Sequence, residues 1–205
     1  MTDISGMTLE ELAAAVRVCT RCPLQSGRTN AVPGEGPVNA SIMFVGEGPG
    51  FHEDRQGRPF VGSAGKFLEE LLEGIGMTRE QVYIANVVKC RPPGNRDPLP
   101  EELTACKLYL DRQIELIRPK VIVTLGRFSM YRYFPGQSIS RIHGQAKQVG
   151  HTLVVPMLHP AAALHQPQWK DTIVADFKKL PQIIAQVDHS APADQPPPAQ
   201  QLSLF

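Results

Sequence analysis

The chain has almost no surplus of charge of either sign: 21 basic residues face 20 acidic ones over 205 residues, leaving a formal net charge of +1. Bulk attraction to a polyanion is thereby excluded, so any affinity for nucleic acid must come from local placement of Lys and Arg. No apolar run approaches the length of a membrane span, and Met1-Thr2-Asp3-Ile4-Ser5 lacks the basic-then-apolar order of a secretory signal. These absences predict a soluble, cytoplasmic protein with no membrane partner. There is no internal repeat and no P-loop, and a G-x-G-x-x-G fingerprint would need glycine where Phe51 stands. Cysteine is scarce, at four residues. In a reducing compartment those four read as ligands or free thiols rather than disulfides. What the chain does have is enough hydrophobic sequence, 42%, to bury one sizeable core in one domain.

Four short runs read as strands: Ser41 to Val45, Val82 to Val88, Val121 to Leu125 and Leu153 to Met157. Their continuous apolar character predicts cover on both faces, as in a parallel sheet. Helical stripes lie between them, at Phe67, Leu68, Leu71, Leu72 and Ile75, and again from Leu103 to Ile117. Thr8 to Val18, with Thr8 as N-cap, and Trp169 to Val187 read as a first and a last helix. The pattern predicts an α/β domain over residues 1–187, a three-layer α/β/α sandwich around a four-stranded, mostly parallel sheet. From residue 188 the composition turns to Ala, Pro, Gln and Asp, which predicts a disordered tail over 188–205.

The chemistry-bearing residues cluster in the loops after strands, where ligands bind in open parallel sheets. Gly46-Glu47-Gly48-Pro49-Gly50 follows the first strand and is either a plain tight turn or a ligand loop. Gly57-Arg58-Pro59-Phe60-Val61-Gly62 then sets one aromatic just before a helix start, an arrangement that suits stacking on a planar ligand. Asn86 ends an otherwise apolar strand and is either a satisfied core amide or a ligand reader. His159-Pro160 follows the last strand, where the histidine is either structural or faces the same cleft. Cys19 and Cys22 form a C-x2-C pair, with Cys90 and Cys106 far downstream. Zinc sites usually repeat the C-x2-C knuckle, and this chain does not, which favours a [4Fe-4S] cluster held by four thiolates; zinc and free thiols stay open on spacing alone.

Taken in order, Cys19-x2-Cys22-Pro23-Leu24, Gly46 to Gly50, Gly57 to Gly62, Asn86 to Arg96, Cys106 and His159-Pro160-Ala161 closely resemble the family-four uracil-DNA glycosylases, between residues 15 and 185. The resemblance implies an enzyme that flips deoxyuridine out of single- or double-stranded DNA and hydrolyses its glycosidic bond. It implies a monomer, associated with the nucleoid, with a [4Fe-4S] cluster on Cys19, Cys22, Cys90 and Cys106. Glu47 would handle the attacking water and His159 would stabilise the departing uracil, with Glu53 and Asn95 as secondary contributors. Gly46, Gly48, Phe60 and Asn86 would bind the base, and Leu164 is either a wedge into the vacated stack or a packing leucine. Arg58, Lys89, Arg91 and Arg96 would contact phosphates.

Another reading from the same superfamily is a uracil-DNA binder that lacks turnover or becomes covalently trapped through a loop histidine. Arg141-Ile142-His143 invites it. The trapping loop, however, follows the strand that carries the Asn, where this chain reads Arg91 to Arg96 with no histidine. The last five residues, Gln201-Leu202-Ser203-Leu204-Phe205, resemble the motif by which bacterial proteins dock on the polymerase sliding clamp. Leu202, Leu204 and Phe205 would be the anchors; an incidental apolar end is the alternative.

Overall fold

The computed structural model describes residues 3–190. The four expected runs form β1 (Ile42–Gly46), β2 (Tyr83–Asn86), β3 (Val121–Leu125) and β5 (Thr152–Met157), all parallel to one another. The sheet has five strands, not four, in the order β2-β1-β3-β5-β4. The added strand, β4 (Lys147–Val149), pairs antiparallel with β5 at the edge. All three of its residues are exposed, so no apolar alternation marked it in the sequence. A short polar strand is a common way of blunting a sheet edge.

Successive side chains of β1 point to opposite faces, and both faces are buried. Ile42 and Phe44 pack on α3 (Ser63–Glu73) through Phe67, Leu68 and Leu72, and on α8 (Trp169–Phe177) through Phe177, whose ring stacks on Phe44 at 6.1 Å. Met43 and Val45 pack on α4 (Pro100–Ile117) through Leu110 and Ile117. The result is the expected three layers. A third cluster, with Leu12 and Val16 of α1 (Leu9–Arg17), joins that helix to Cys90, Cys106 and Tyr109. Thr8 does cap α1, accepting from Glu11 N–H while Glu11 accepts from Thr8 N–H.

The expected last helix is two, α8 and α9 (Leu180–Ser190). Pro181 explains the break. It has no N–H to donate backward and its ring clashes with the carbonyl four residues earlier, so it fits only a helix's first turn. Helix α9 continues three residues past the boundary drawn from composition. The remainder of the tail, including Gln201, Leu202, Leu204 and Phe205, lies outside the described residues.

Candidate active site

The chain passes from β1 to β2 on one side and enters β3 on the other, so the order reverses beside β1, where open α/β sheets place their ligands. A cleft of about 580 Å³ opens there, with Glu47, Phe60, Asn86, Asn95 and His159 in its walls. The two valines after β2 leave the strand proper but stay tied to the glycine loop, Val87 N–H donating to Gly46 O and Val88 N–H to Glu47 O. These bonds hold the Asn86–Cys90 segment against Glu47.

Gly46 pairs with Asn86 across the β1–β2 ladder. A Cβ at Gly46 would lie 2.4 Å from Asn86 Oδ1 and 2.7 Å from the Phe60 ring, so the bare Cα is what lets ring and amide approach each other. Asn86 is buried, and among the described residues its Oδ1 has no hydrogen-bond partner. A buried, unpaired acceptor costs about 1–3 kcal/mol, which a ligand donor would recover. The anchor on this residue is through its main chain, whose carbonyl accepts from Lys89 Nζ at 2.9 Å.

The His159 imidazole stacks on the Phe60 ring, centroids 5.5 Å apart and 24° from parallel. Burial pushes its pKa down to about 4, so the ring is neutral at pH 7. Its Nδ1 accepts from Ala161 N–H at the start of α7 (Pro160–His165), which places the one ring proton on Nε2. Glu47 is pushed above the ordinary carboxylate range by burial; backbone N–H groups of Phe128 and Arg127 and the Arg127 guanidinium partly offset this. Glu53, expected as a secondary catalytic contributor, lines the cleft with its carboxylate held by backbone donors. Oε1 accepts from Val61 N–H and Gly62 N–H, both at 2.8 Å, and Oε2 from Gly50 N–H at 3.1 Å. With both oxygens committed to backbone donors, Glu53 braces the two glycine loops against each other.

Lys89, expected at a phosphate, is enclosed by the fold. It is 1% exposed, and its ammonium donates to Asn86 O and to Gln113 Oε1. Arg96 lines the cleft but forks onto buried Glu102, at 2.6 and 2.9 Å. Arg91 lies over the Phe51 ring at 5.2 Å and donates through Nε to Asn95 Oδ1. Arg58 is outside the cleft, bound twice by Glu35. Leu164 is 49% exposed on α7. His143 is also outside the cleft, its Nδ1 2.5 Å from Asp176 Oδ2. Sequence reasoning passed over Phe51, which is 51% exposed in the cleft wall, and Arg79; only the place of Phe51 beside the glycine loop hinted at it.

A family model, the uracil DNA glycosylase superfamily, matches residues 33–178. The chain is 50% identical over 183 residues to a type-4 uracil-DNA glycosylase of Sulfurisphaera tokodaii, covering 84% of this chain and 83% of that protein. It is 47% identical to the type-4 enzyme of Archaeoglobus fulgidus over 84% of this chain and 92% of the relative, and 45% identical to that of Thermotoga maritima over 86% and 94%. The chain belongs to the type-4 uracil-DNA glycosylases.

The four cysteines, expected as ligands of an iron–sulfur centre, come together in the fold. All four line one small cavity between α1, α4 and the loop after β2. Donors point at the sulfurs: Arg28 Nη1 at Cys90 Sγ (3.1 Å), Lys89 N–H at Cys106 Sγ (3.2 Å) and Arg21 N–H at Cys19 Sγ (3.5 Å). Burial pushes the Cys106 thiol up to about 12, an effect that Lys89 beside it only partly offsets. Lys89 makes no ion pair with a carboxylate among the described residues. A buried ammonium without an acid partner fits a negatively charged thiolate centre. Among the described residues no three Cys, His, Asp or Glu side chains form a group placed to hold a single metal ion.

The close approach at Gly46 makes a direct prediction. Gly46→Ala forces the Phe60 ring and the Asn86 amide apart, and displacements of about 1 Å can cost roughly 100-fold in rate. Single-turnover uracil excision is expected to fall by about that factor with little change in thermal unfolding; an unchanged rate contradicts the assignment of this pocket.

Proposed function

We propose that this type-4 glycosylase reads uracil with Asn86, stacks it on Phe60 and meets its departing charge with the Nε2–H of His159. The observation that carries the reading is the buried, unpartnered Asn86 Oδ1 beside Phe60 and a histidine held neutral. Uracil presents an N3–H donor to that oxygen and an O4 acceptor to the amide nitrogen. Cytosine presents the reverse, leaving the buried amide unpaired. Unstacking the nucleotide costs a few kcal/mol. Stacking on one aromatic returns only ~1–3 kcal/mol, so polar readout and phosphate contacts must supply the rest. Among the cations expected at phosphates, Arg91, held against the cleft-lining Phe51 and Asn95, suits that task, and exposed Leu164 on α7 would be the wedge into the vacated stack.

In the bond-breaking step the C1′–N1 pair leaves with uracil, whose O2 gains charge and is stabilised by His159 Nε2–H without proton transfer. Water adds to C1′ and gives its proton to Glu47, whose carboxylate also faces the cationic sugar. Glu47 must therefore be ionised, and its raised pKa sets the acid limb. Activity is expected to fall as pH drops through a value above the usual 4.5, with no inflection near 6.5 from His159. Rate profiles on a single-uracil oligonucleotide check this. Glu47→Gln is expected to lose rate and the acid limb, His159→Gln to lose rate and keep it. No excision by the wild type, or a limb near 6.5 that disappears with His159→Gln, would overturn the reading.

The thiolate environment supports a [4Fe-4S] cluster on Cys19, Cys22, Cys90 and Cys106. When bound, such a group supplies a rigid tie rather than a catalytic step, joining α1 to α4 and to the loop that carries Arg91 and Asn95. The purified protein is expected to be brown, absorbing near 400 nm, with about four irons per chain; a colourless protein with one zinc contradicts it. The tail sequence supports docking on a sliding clamp, by a tethered peptide that raises the local concentration at replicated DNA. Deleting residues 201–205 is expected to abolish clamp binding and spare excision, and clamp affinity retained after the deletion contradicts the docking motif. A cytoplasmic, nucleoid-associated monomer accords with this work; no described helix is long and apolar enough to cross a membrane.

A further inference from the structure

Phe60 occupies an unusual backbone state. It has φ +51, a left-handed conformation that a residue with a bulky side chain rarely adopts and that holds only where its surroundings enforce it. The enforcing group lies outside the cleft. Arg79, its side chain 9% exposed, donates Nη1 to Phe60 O at 2.8 Å and Nη2 to Pro59 O, forking across the two carbonyls that flank the strained residue. Its Nε donates to Glu35 Oε1 at 2.8 Å, and Glu35 is fixed to β2 by main-chain bonds in both directions with Ile84. On the other side, α3 meets the Phe60 carbonyl so closely that a Cβ at Gly65 would lie 2.0 Å from it. The strained carbonyl is thus trapped between a helix and a guanidinium.

We propose that Arg79 is a positioning residue for uracil recognition, holding Phe60 in its stacking pose through the Pro59 and Phe60 carbonyls. The proposal rests on Phe60 being the stacking ring. A fork that grips two carbonyls and a carboxylate at once suits a planar guanidinium, and an ammonium cannot reproduce it. Freed of this grip, the Pro59–Phe60 segment relaxes toward ordinary φ, and the ring leaves both His159 and the space over Gly46.

A double-mutant cycle on the full-length, cluster-loaded protein tests the inference, because a residue acting only through Phe60 has little left to lose once the ring is gone. Phe60→Ala is expected to lower kcat/KM for a single-uracil oligonucleotide by roughly five- to a hundredfold, the range of one aromatic stack. Arg79→Gln is expected to lose a comparable factor, and less than about threefold more in the Phe60→Ala background. Arg79→Lys and Glu35→Gln are expected to give smaller losses that likewise vanish in that background, and they carry the cycle if Arg79→Gln does not fold. An unchanged Phe60→Ala enzyme overturns the stacking role itself. A weakened Phe60→Ala enzyme with Arg79 variants that are fully active, or that lose the same factor in both backgrounds, overturns the Arg79 assignment alone.

Discussion

The near-parallel stack of Phe60 on His159 is the interaction around which the rest of the site is arranged. The stack needs the space that Gly46 leaves, because any side chain there would strike the Phe60 ring and the Asn86 amide together. It needs Glu53, whose carboxylate ties the Gly50 loop to Val61 and Gly62. Burial keeps His159 uncharged, and its Nδ1 accepts from the Ala161 N–H. The ring proton that this bond leaves on Nε2 is the donor proposed to meet a leaving uracil. Packing and chemistry meet in one contact.

Much of this was legible in the sequence, for identifiable reasons. Buried parallel strands show as unbroken apolar runs, so four of five strands and the three-layer architecture could be read directly. Asn86 and His159 stood out as polar residues at the ends of such runs, and the order of the motifs fixed the family. Interactions with the main chain could not be read. The bracing by Glu53 was hidden because nothing in a sequence shows three backbone N–H groups converging on its carboxylate. Arg79 drew no notice because its targets are carbonyls 19 and 20 positions away. Lys89 sits between a strand and an Arg-bearing loop, which suggested a phosphate contact, whereas the fold encloses it beside the cysteines. β4 was invisible because it buries nothing.

The cysteine centre and the base-reading strand share residues. Lys89 donates its backbone N–H to Cys106 Sγ and its ammonium to the carbonyl of Asn86. One buried side chain therefore links the cysteines to Asn86, the proposed reader of uracil. Gln113 completes the support, accepting from Lys89 and donating to Pro33 O and Tyr83 Oη. On the proposed reading the cluster would belong to the scaffold, and catalysis would fall to Glu47 and His159.

The central claim is that a neutral histidine, proton on Nε2, meets the charge that develops on uracil. Nitrogen-15 NMR of the His159 ring at pH 7, on histidine-labelled protein with His159→Gln to assign the signal, tests it most directly. The account predicts a protonated Nε2 and an unprotonated Nδ1, unchanged down to about pH 5. An imidazolium at pH 7, or a proton on Nδ1, would contradict it.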